Sequence, residues 1–256
     1  MKRFVALSLA ALATLTLAAC ENQNGRELQG WVEGEMIFVS PDEQGRVEIL
    51  NVREGDRVQK GKLLFTLDDD LQKADVAVKR AALINAQQVY NRAEELLRSA
   101  SGTKKALDDA EAALRQAKAN LQAAQTRLTR RRVLSPVNGT VQEVYFRAGE
   151  TVQPARPVVA LLPPRNLKIR FFAPETKLAR IKIGETVDVS CDACAKGLTA
   201  KVSFIAQSAE YTPPVIYSRK ERAKLVYLIE ARPTDPEKFR VGQPVTVMLP
   251  PEGVSQ

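Results

Sequence analysis

Two stretches of this chain, SPDEQGRVEILNVREGDRVQKGKLLFTL at residues 40–67 and SPVNGTVQEVYFRAGETVQPARPVVAL at residues 135–161, align with each other through a single gap. Each stretch consists of short alternating runs that glycines interrupt, which is the pattern of short β-strands joined by tight turns. One copy buries too little surface to fold alone, so we expect the two copies to dock as halves of one small β-sandwich. The matched positions are Gly45 with Gly139, Arg53 with Arg147, Gly55 with Gly149, Val58 with Val152, and Gln59 with Gln153.

The segment between the two copies, residues 71–132, has the composition of a helix. It contains one glycine, Gly102, no proline, and many Ala, Leu, Gln, Lys and Arg residues, which favour helix formation. Apolar residues recur at alternating spacings of three and four, which predicts a coiled-coil seam. The seam positions are Leu83, Ala86, Tyr90, Ala93, Leu97 and Ala100 in the first half, and Leu107, Ala110, Leu114, Ala117, Leu121, Ala124 and Leu128 in the second.

A chain reversal is expected in the middle of this segment, at the sequence SASGT of residues 99–103. The prediction is therefore an antiparallel coiled-coil hairpin with arms of roughly 45 Å, at about 1.5 Å per residue. A cluster of arginines at the end of the second arm is interpreted as favourable charge at a helix C-terminus plus solvation, with phosphate binding as the alternative. These arginines are Arg127, Arg130, Arg131 and Arg132.

The remainder of the chain, residues 164–250, follows the dipeptide Pro163-Pro164 and has the pattern of a second β domain. Strand-like runs such as LKIRFF, TVDVSC and PVTVML lie between glycine-containing turns, which is typical of a compact β-barrel. The predicted fold class is thus α+β, mostly β. One loop in this region is rich in proline and aromatic residues, and it is either a contact surface or an ordered connection. Its residues include Tyr211, Pro213, Pro214 and Tyr217.

The first twenty residues have the pattern of an export signal. Lys2 and Arg3 precede an uncharged apolar run that is shorter than the roughly 20 residues of a bilayer-spanning helix. The run ends in LAAC, which resembles the bacterial lipobox, so residues 1–19 are expected to be a signal peptide and Cys20 to carry the lipid. An ordinary signal peptide cleaved near Ala18 is the alternative. The mature chain is then a lipoprotein of the Gram-negative periplasm, at the inner membrane or, since Glu21 follows Cys20, at the outer membrane.

Cys191 and Cys194 are the two remaining thiols, and they stand three residues apart in the sequence CDAC. Residues three apart in a tight turn have α-carbons close enough for a disulfide. The predicted compartment is oxidising, which also favours a disulfide. A zinc site would need two further ligands, and the sequence offers neither a second CxxC nor a histidine. A redox-active pair is possible, but the run lies between strands rather than at a helix start, so we favour a structural disulfide.

The amino-acid composition argues against several classes of enzyme and against nucleic-acid binding. The chain has 256 residues, a net charge of +8 and no histidine, which excludes histidine triads and histidine-ligated metals. Aromatic residues make up 5% of the chain, which argues against stacking platforms for single-stranded nucleic acid. The run from Gly55 to Lys62 superficially resembles a P-loop, but Leu63 stands where Ser or Thr is required. We therefore expect no enzyme activity, no cofactor, no metal site and no nucleic-acid partner.

The order of these features resembles that of the HlyD-like periplasmic adaptors, also called membrane fusion proteins. The resemblance implies lipoyl-like sandwich halves at residues 30–70 and 133–163, the inserted hairpin at 71–132, and a β-barrel at 164–250. The turn that carries a modifiable lysine in lipoyl and biotinyl carriers is replaced here by the hairpin. In the adaptors, an Arg, a Leu and a Ser at positions i, i+4 and i+11 of the hairpin tip dock onto the channel. The matching residues here are Arg92, Leu96 and Thr103.

The resemblance also implies partners and an assembly. An adaptor of the short type that serves ABC exporters would form a ring, expected to be a hexamer, between an inner-membrane transporter and a TolC-like outer-membrane channel. The loop of residues 211–217 would then contact the transporter. Two other hypotheses remain from the residues themselves: a lipid-anchored coiled-coil scaffold without a transport role, and a periplasmic protein that binds a metal or thiol through Cys191 and Cys194.

Overall fold

The computed structural model of the protein describes residues 26–192, 194–211 and 225–250. The chain divides into two compact units, one formed by residues 36–163 and the other by the segments on either side of them. The first strand, β1 (Glu27–Gly34), belongs to the second unit because it pairs with two strands from the C-terminal part of the chain. The prediction that the sandwich begins at residue 30 is therefore wrong.

Two four-stranded antiparallel sheets form the sandwich of the first unit, in the orders β2-β9-β7-β4 and β6-β5-β3-β8. Strands β3 to β5 lie within the first sequence copy, strands β7 to β9 start within the second, and the short strands β2 and β6 directly precede the first and second copy. Together with its preceding strand, each copy therefore supplies two strands to each sheet, which explains why neither copy is a fold by itself. The bounds are β2 Ile37–Val39, β3 Gly45–Leu50, β4 Arg57–Val58, β5 Leu63–Leu67, β6 Arg132–Leu134, β7 Gly139–Val144, β8 Thr151–Val152 and β9 Val159–Leu162.

The internal repeat is visible in its turns. In the first copy, the Asp56 amide donates to the Arg53 carbonyl at 3.1 Å, and the Asp56 carboxylate accepts from the Arg53 amide at 3.0 Å. The second copy repeats both bonds with Glu150 and Arg147, at 3.2 and 3.0 Å. The third residue of each turn is a glycine with a positive φ, 89° in the first copy and 96° in the second. Such a φ strains any residue with a Cβ, so the turn requires glycine.

One hydrophobic core holds the two copies together. Apolar side chains from both halves of the sandwich face each other between the sheets. Those of Phe65, Val47 and Val152 are completely buried. The signal in the sequence was the period-two alternation, which places every second side chain on the inner face. The buried residues are Val39, Val47, Val52, Val58, Leu64, Phe65, Leu67, Val141, Val152, Val158, Val159 and Leu161.

An antiparallel hairpin of two helices, α1 (Asp70–Arg98) and α2 (Lys104–Arg130), extends from this sandwich. At about 1.5 Å per residue, the 29 residues of α1 span roughly 43 Å. The predicted seam residues are buried or half-buried, whereas the positions between them are mostly exposed. Ala100 is the exception: it lies in the connecting loop and is exposed. The spacing of three and four thus predicted which face of each helix meets the other.

The base of the hairpin is fixed by the arginine cluster. The guanidinium of Arg131 is 8% exposed and donates to the Gln44 carbonyl at 2.8 Å and to the Glu43 carboxylate at 3.2 Å. The side-chain amide of Gln72, with its oxygen toward Arg131, accepts from Nε at 3.0 Å. Arg130 pairs with Asp42 at 3.3 Å. The interpretation of this cluster as solvated charge is therefore wrong for Arg131, which joins the hairpin to the sandwich.

The second unit is a closed barrel of six antiparallel strands in the order β10-β1-β15-β11-β12-β14, closed by pairing of β14 with β10. The short strand β13 pairs with the first two residues of β14, and a one-turn helix α3 (Glu175–Leu178) follows β10. Two further turns, KIGE at residues 182–185 and RVGQ at 240–243, repeat the turn bonding of the sandwich. The bounds are β10 Leu167–Pro174, β11 Thr186–Ser190, β12 Leu198–Ile205, β13 Glu210–Tyr211, β14 Leu225–Pro233 and β15 Pro244–Met248.

Candidate functional site

The hairpin tip, the loop that joins α1 to α2, is a Schellman motif. The Ser101 amide donates to the Leu96 carbonyl at 2.9 Å and the Ala100 amide to the Leu97 carbonyl at 3.1 Å, while Ala100 has a φ of +54°. Gly102 follows, and a Cβ at this position would lie 2.9 Å from the Leu97 nitrogen. The loop is therefore tightly wound against the last turn of α1 and presents a defined surface.

An alanine in the left-handed conformation of the tip gives a test of this geometry. We expect Ala100→Gly to raise the free energy of unfolding by roughly 0.5–1 kcal/mol, because glycine relieves the steric cost of a positive φ. The matched control is Ala112→Gly at an exposed position inside α2, which should lower that free energy by about 1 kcal/mol. Urea unfolding followed by far-UV circular dichroism measures both. A loss of stability in both variants would contradict the tip conformation.

The three predicted docking residues lie near this tip and outside the seam. Leu96 is 44% exposed, and Arg92, one turn earlier on the same face of α1, is also exposed. Leu96 therefore does not pack in the seam of the hairpin. Among the described residues, Arg92 has neither an ion pair nor a side-chain hydrogen bond, whereas the neighbouring Arg98 bonds to Glu94 at 3.0 Å. The structure thus leaves a free guanidinium and an apolar side chain on one face.

Thr103 has a structural role that the sequence reasoning missed. It is the N-cap of α2, and its hydroxyl accepts a hydrogen bond from the Ala106 amide at 3.2 Å. The signal was available, since a threonine directly before a helical run is a typical N-cap. The hydroxyl proton and the methyl group are still available for contacts, but replacing Thr103 would also weaken the helix start.

A second apolar stripe runs along α1, outside the seam. Four large side chains are 82%, 63%, 44% and 44% exposed, and they lie on a flank roughly a quarter turn from the seam, at about 100° per residue. The four side chains are seven to eleven residues apart and recur on the same flank, which makes this flank a candidate interaction surface. The stripe consists of Leu71, Val78, Val89 and Leu96.

The two cysteines of CDAC lie in the connection between β11 and β12, with their α-carbons 5.2 Å apart and their sulfurs paired. The Gln243 side-chain nitrogen lies 2.9 Å from the Cys191 sulfur and 3.3 Å from the Cys194 sulfur, and it donates to both. Its amide oxygen accepts from the Arg240 amide at 2.9 Å. An acid occupies this fourth turn position in the three other turns. A carboxylate would have no proton to donate to sulfur, which explains the glutamine here.

A cluster of charged side chains crosses one wall of the barrel. Lys168 bonds to Glu35 at 2.7 Å and to Glu230 at 2.9 Å, and Arg170 pairs with Glu33 at 2.7 Å. Burial alone would lower the pKa of Lys168, but its bonds to the two carboxylates outweigh burial and raise that pKa. The hydrogen bond from Lys168 in turn lowers the pKa of Glu35. Each of these cations is paired with two carboxylates inside the cluster, which favours a structural role over ligand binding.

Other predicted sites lie outside the described residues. These are Cys20, Pro213, Pro214 and Tyr217, together with the signal peptide of residues 1–19. Tyr211 ends strand β13, where its backbone pairs with Leu225. Within residues 26–192, 194–211 and 225–250, no helix has the length and hydropathy needed to cross a bilayer. In the same residues, no three His, Cys, Asp or Glu side chains are grouped closely enough to hold a metal ion.

Comparison with known proteins identifies the family. The family model described as "RND MFP, barrel-sandwich hybrid domain" matches residues 35–162, which is half of the chain and coincides with the sandwich and hairpin unit. The chain belongs to this family, the membrane fusion proteins or periplasmic adaptors, as the HlyD-like resemblance predicted. The predicted α+β, mostly β fold class is confirmed as well.

Similar proteins cover most of the chain. The "UPF0194 membrane protein in asrC 5'region" of Acidithiobacillus ferridurans is 28% identical over 87% of this chain and 86% of its own length. The UPF0194 membrane protein YbhG of Salmonella arizonae is 26% identical over 96% of this chain and 97% of its own.

Two solved structures share the fold. The membrane fusion protein Spr0693 from Streptococcus pneumoniae R6 matches 87% of this chain and 98% of its own, at 22% identity and a TM-score of 0.69. A MacA-MexA chimeric protein that contains the Pseudomonas aeruginosa MexA α-hairpin domain matches 87% of this chain and 79% of its own. Its identity is also 22% and its TM-score 0.69.

Proposed function

We propose that this protein is the periplasmic adaptor of a tripartite exporter, linking an inner-membrane transporter of the ABC type to a TolC-like outer-membrane channel. The observation that carries the proposal is the tightly wound hairpin tip, next to which Arg92 and Leu96 are exposed to solvent on one face of α1. A guanidinium beside an exposed leucine suits a groove between channel helices, where both charge and apolar contact are available. The adaptor itself performs no chemistry, and the transporter supplies the energy.

The anchor and the assembly are part of the same proposal. Lipidation of Cys20 would hold the mature chain at the inner membrane, where the transporter lies. The apolar stripe on α1 would be covered by a neighbouring copy of the chain, so that several hairpins stand side by side in a ring, expected to be a hexamer. The loop of residues 211–217 would contact the transporter.

Site-specific crosslinking in cells tests the proposal. A photoreactive residue replaces Ser101, an exposed residue of the tip that does not cap α2, and a control probe replaces Ala112 on the exposed side of α2. Mass spectrometry should recover an outer-membrane channel from Ser101 and not from Ala112. Recovery of only other copies of this chain from both positions would favour the lipid-anchored scaffold and contradict the adaptor function.

Substitutions at the tip give a second readout. Arg92→Ala should reduce export tenfold or more, which corresponds to about 1.4 kcal/mol or more of docking free energy. The matched control is Arg98→Ala, which removes an exposed arginine already paired with Glu94 on the same helix. Export by the control variant should stay within twofold of the unchanged protein, on the order of 0.5 kcal/mol or less. Equal loss in both variants would show that net charge, rather than the Arg92 contact, matters.

A further inference from the structure

One end of the barrel, which we call the β1 end, gathers the start of β1, the KIGE turn of residues 182–185 and the end of β15. Register places them together, because Met248 of β15 lies opposite both Glu27 and Asp188. The start of β1 and the start of β11 are thus two strands apart, about 10 Å at the usual strand spacing. Arg26 fastens this end by donating to the Leu249 carbonyl at 2.8 Å.

An isoleucine protrudes from the β1 end. Ile183 is the second residue of the KIGE turn and is 68% exposed, more than any other large apolar side chain among the described residues of this unit. The turn is rigid, because the Glu185 carboxylate accepts from the Lys182 amide at 3.0 Å and the Gly184 amide donates to the Val202 carbonyl at 2.8 Å. The sandwich uses Glu54 and Ala148 at the same turn position, so the turn itself does not require an apolar residue.

Lysine side chains lie next to the KIGE turn, whereas the exposed acids Glu27 and Asp188 lie further into the strands, level with Met248. Lys182 directly precedes Ile183 and is exposed, and the side chain of Lys201 passes within 3.8 Å of the position that a Cβ on Gly184 would take. Arg180, two residues before Lys182, donates to the Pro250 carbonyl at 3.3 Å. The acid of the turn, Glu185, is engaged by the Lys182 amide. An exposed apolar side chain between lysines matches a bilayer surface, where the lysines meet anionic headgroups and the apolar group enters the acyl boundary.

The chain enters the barrel at this same end. Only five residues lie between Cys20 and Arg26, and the six steps from one to the other can span at most about 20 Å. A lipid on Cys20 therefore keeps the β1 end close to the bilayer surface.

We infer that the β1 end of the barrel rests on the anionic membrane surface, with Ile183 inserted at the boundary between headgroups and acyl chains. This inference rests on the lipid anchor of the proposed function. The contact would fix the direction of the barrel relative to the bilayer, which a flexible tether alone does not do.

Fluorescence quenching by lipids tests the contact in the full lipidated chain. Trp31 is replaced by phenylalanine, which keeps an aromatic ring against Phe172, and a single tryptophan is placed at Ile183. The control carries its tryptophan at Val241, the same position of the RVGQ turn, which is 43% exposed. The proteins are reconstituted in vesicles of phosphatidylcholine and phosphatidylglycerol with brominated acyl chains.

Quenching of the tryptophan at 183 should exceed that of the tryptophan at 241 several-fold. Equal quenching, in protein that still floats with the vesicles, would overturn the membrane contact and leave the lipid anchor intact. Failure to float with the vesicles would overturn both. Quenching at 183 that is undiminished in vesicles of phosphatidylcholine alone would overturn the role given to Lys182 and Lys201. If the tryptophan at 183 is shielded from the quencher only when a transporter is bound, the surface would be assigned to a protein contact instead of a membrane contact.

Discussion

Replacing Arg131 with alanine should lower the free energy of unfolding by about 3 kcal/mol. Its guanidinium is 8% exposed and donates to the Gln44 carbonyl at 2.8 Å and to the Glu43 carboxylate at 3.2 Å. Alanine would remove these charge-assisted bonds and leave a void between the hairpin base and the sandwich, and the loss of a buried ionic partner typically costs about 3–5 kcal/mol. Because Glu43 is partly exposed and can be hydrated, the lower end of that range is expected.

Arg127→Ala is the matched control for this prediction. Arg127 also faces Glu43, at 3.8 Å, but its side chain is 66% exposed. An exposed pair of this kind contributes about 0–1 kcal/mol, so the control should unfold at nearly the same urea concentration as the unchanged protein. Equal destabilisation by the two variants would mean that net charge at the hairpin end, rather than the buried network, stabilises the base.

Gly30→Ala should destabilise the barrel by about 3 kcal/mol, at the upper end of the usual cost of overpacking. A Cβ on this residue would overlap the Arg170 carbonyl oxygen and lie 2.8 Å from the Cβ of Phe171, so β1 and β10 would have to separate. The reason differs from that at Gly55, where nothing lies within 4 Å and a φ of +89° alone disfavours other residues.

The measurement for Gly30 is again urea unfolding, with Gln29→Ala as control. Gln29 is the exposed neighbour on the same strand, and its truncation should change the free energy of unfolding by roughly 0.5 kcal/mol or less. If Gly30→Ala were as mild as the control, the close approach of β1 to β10 would be incorrect.

Much of the fold could be read from the sequence because its signals are periodic. The repeated stretches 40–67 and 135–161 predicted the sandwich, and the leucine and alanine spacing predicted the hairpin seam. The place of β1 could not be predicted, since it pairs with β10 and β15, which come from the C-terminal part of the chain. Strand partners that lie far apart in the sequence leave no local signal. An eight-residue strand such as β1 could equally be assigned to the sandwich or to the barrel.

The role of single polar residues was harder to predict. Arg131 stands among three similar arginines, and only the packing of the hairpin on the sandwich distinguishes it as the buried one. Gln243 illustrates the same difficulty, because its two hydrogen-bonded sulfurs are about fifty residues away. The predicted docking residues Arg92 and Leu96 came from the family resemblance, and the structure adds that both are exposed on one face of α1.

The interleaved sheets of the sandwich have a consequence for the length of the hairpin. Both arms begin and end at the same fixed base, so residues can be added in pairs of heptads, one in each helix, without altering either sheet. Each such addition lengthens the arm by about 10 Å and returns the tip to nearly the same rotational setting. The hairpin is thus an adjustable spacer, and the distance of its tip from the sandwich is encoded in its number of heptads.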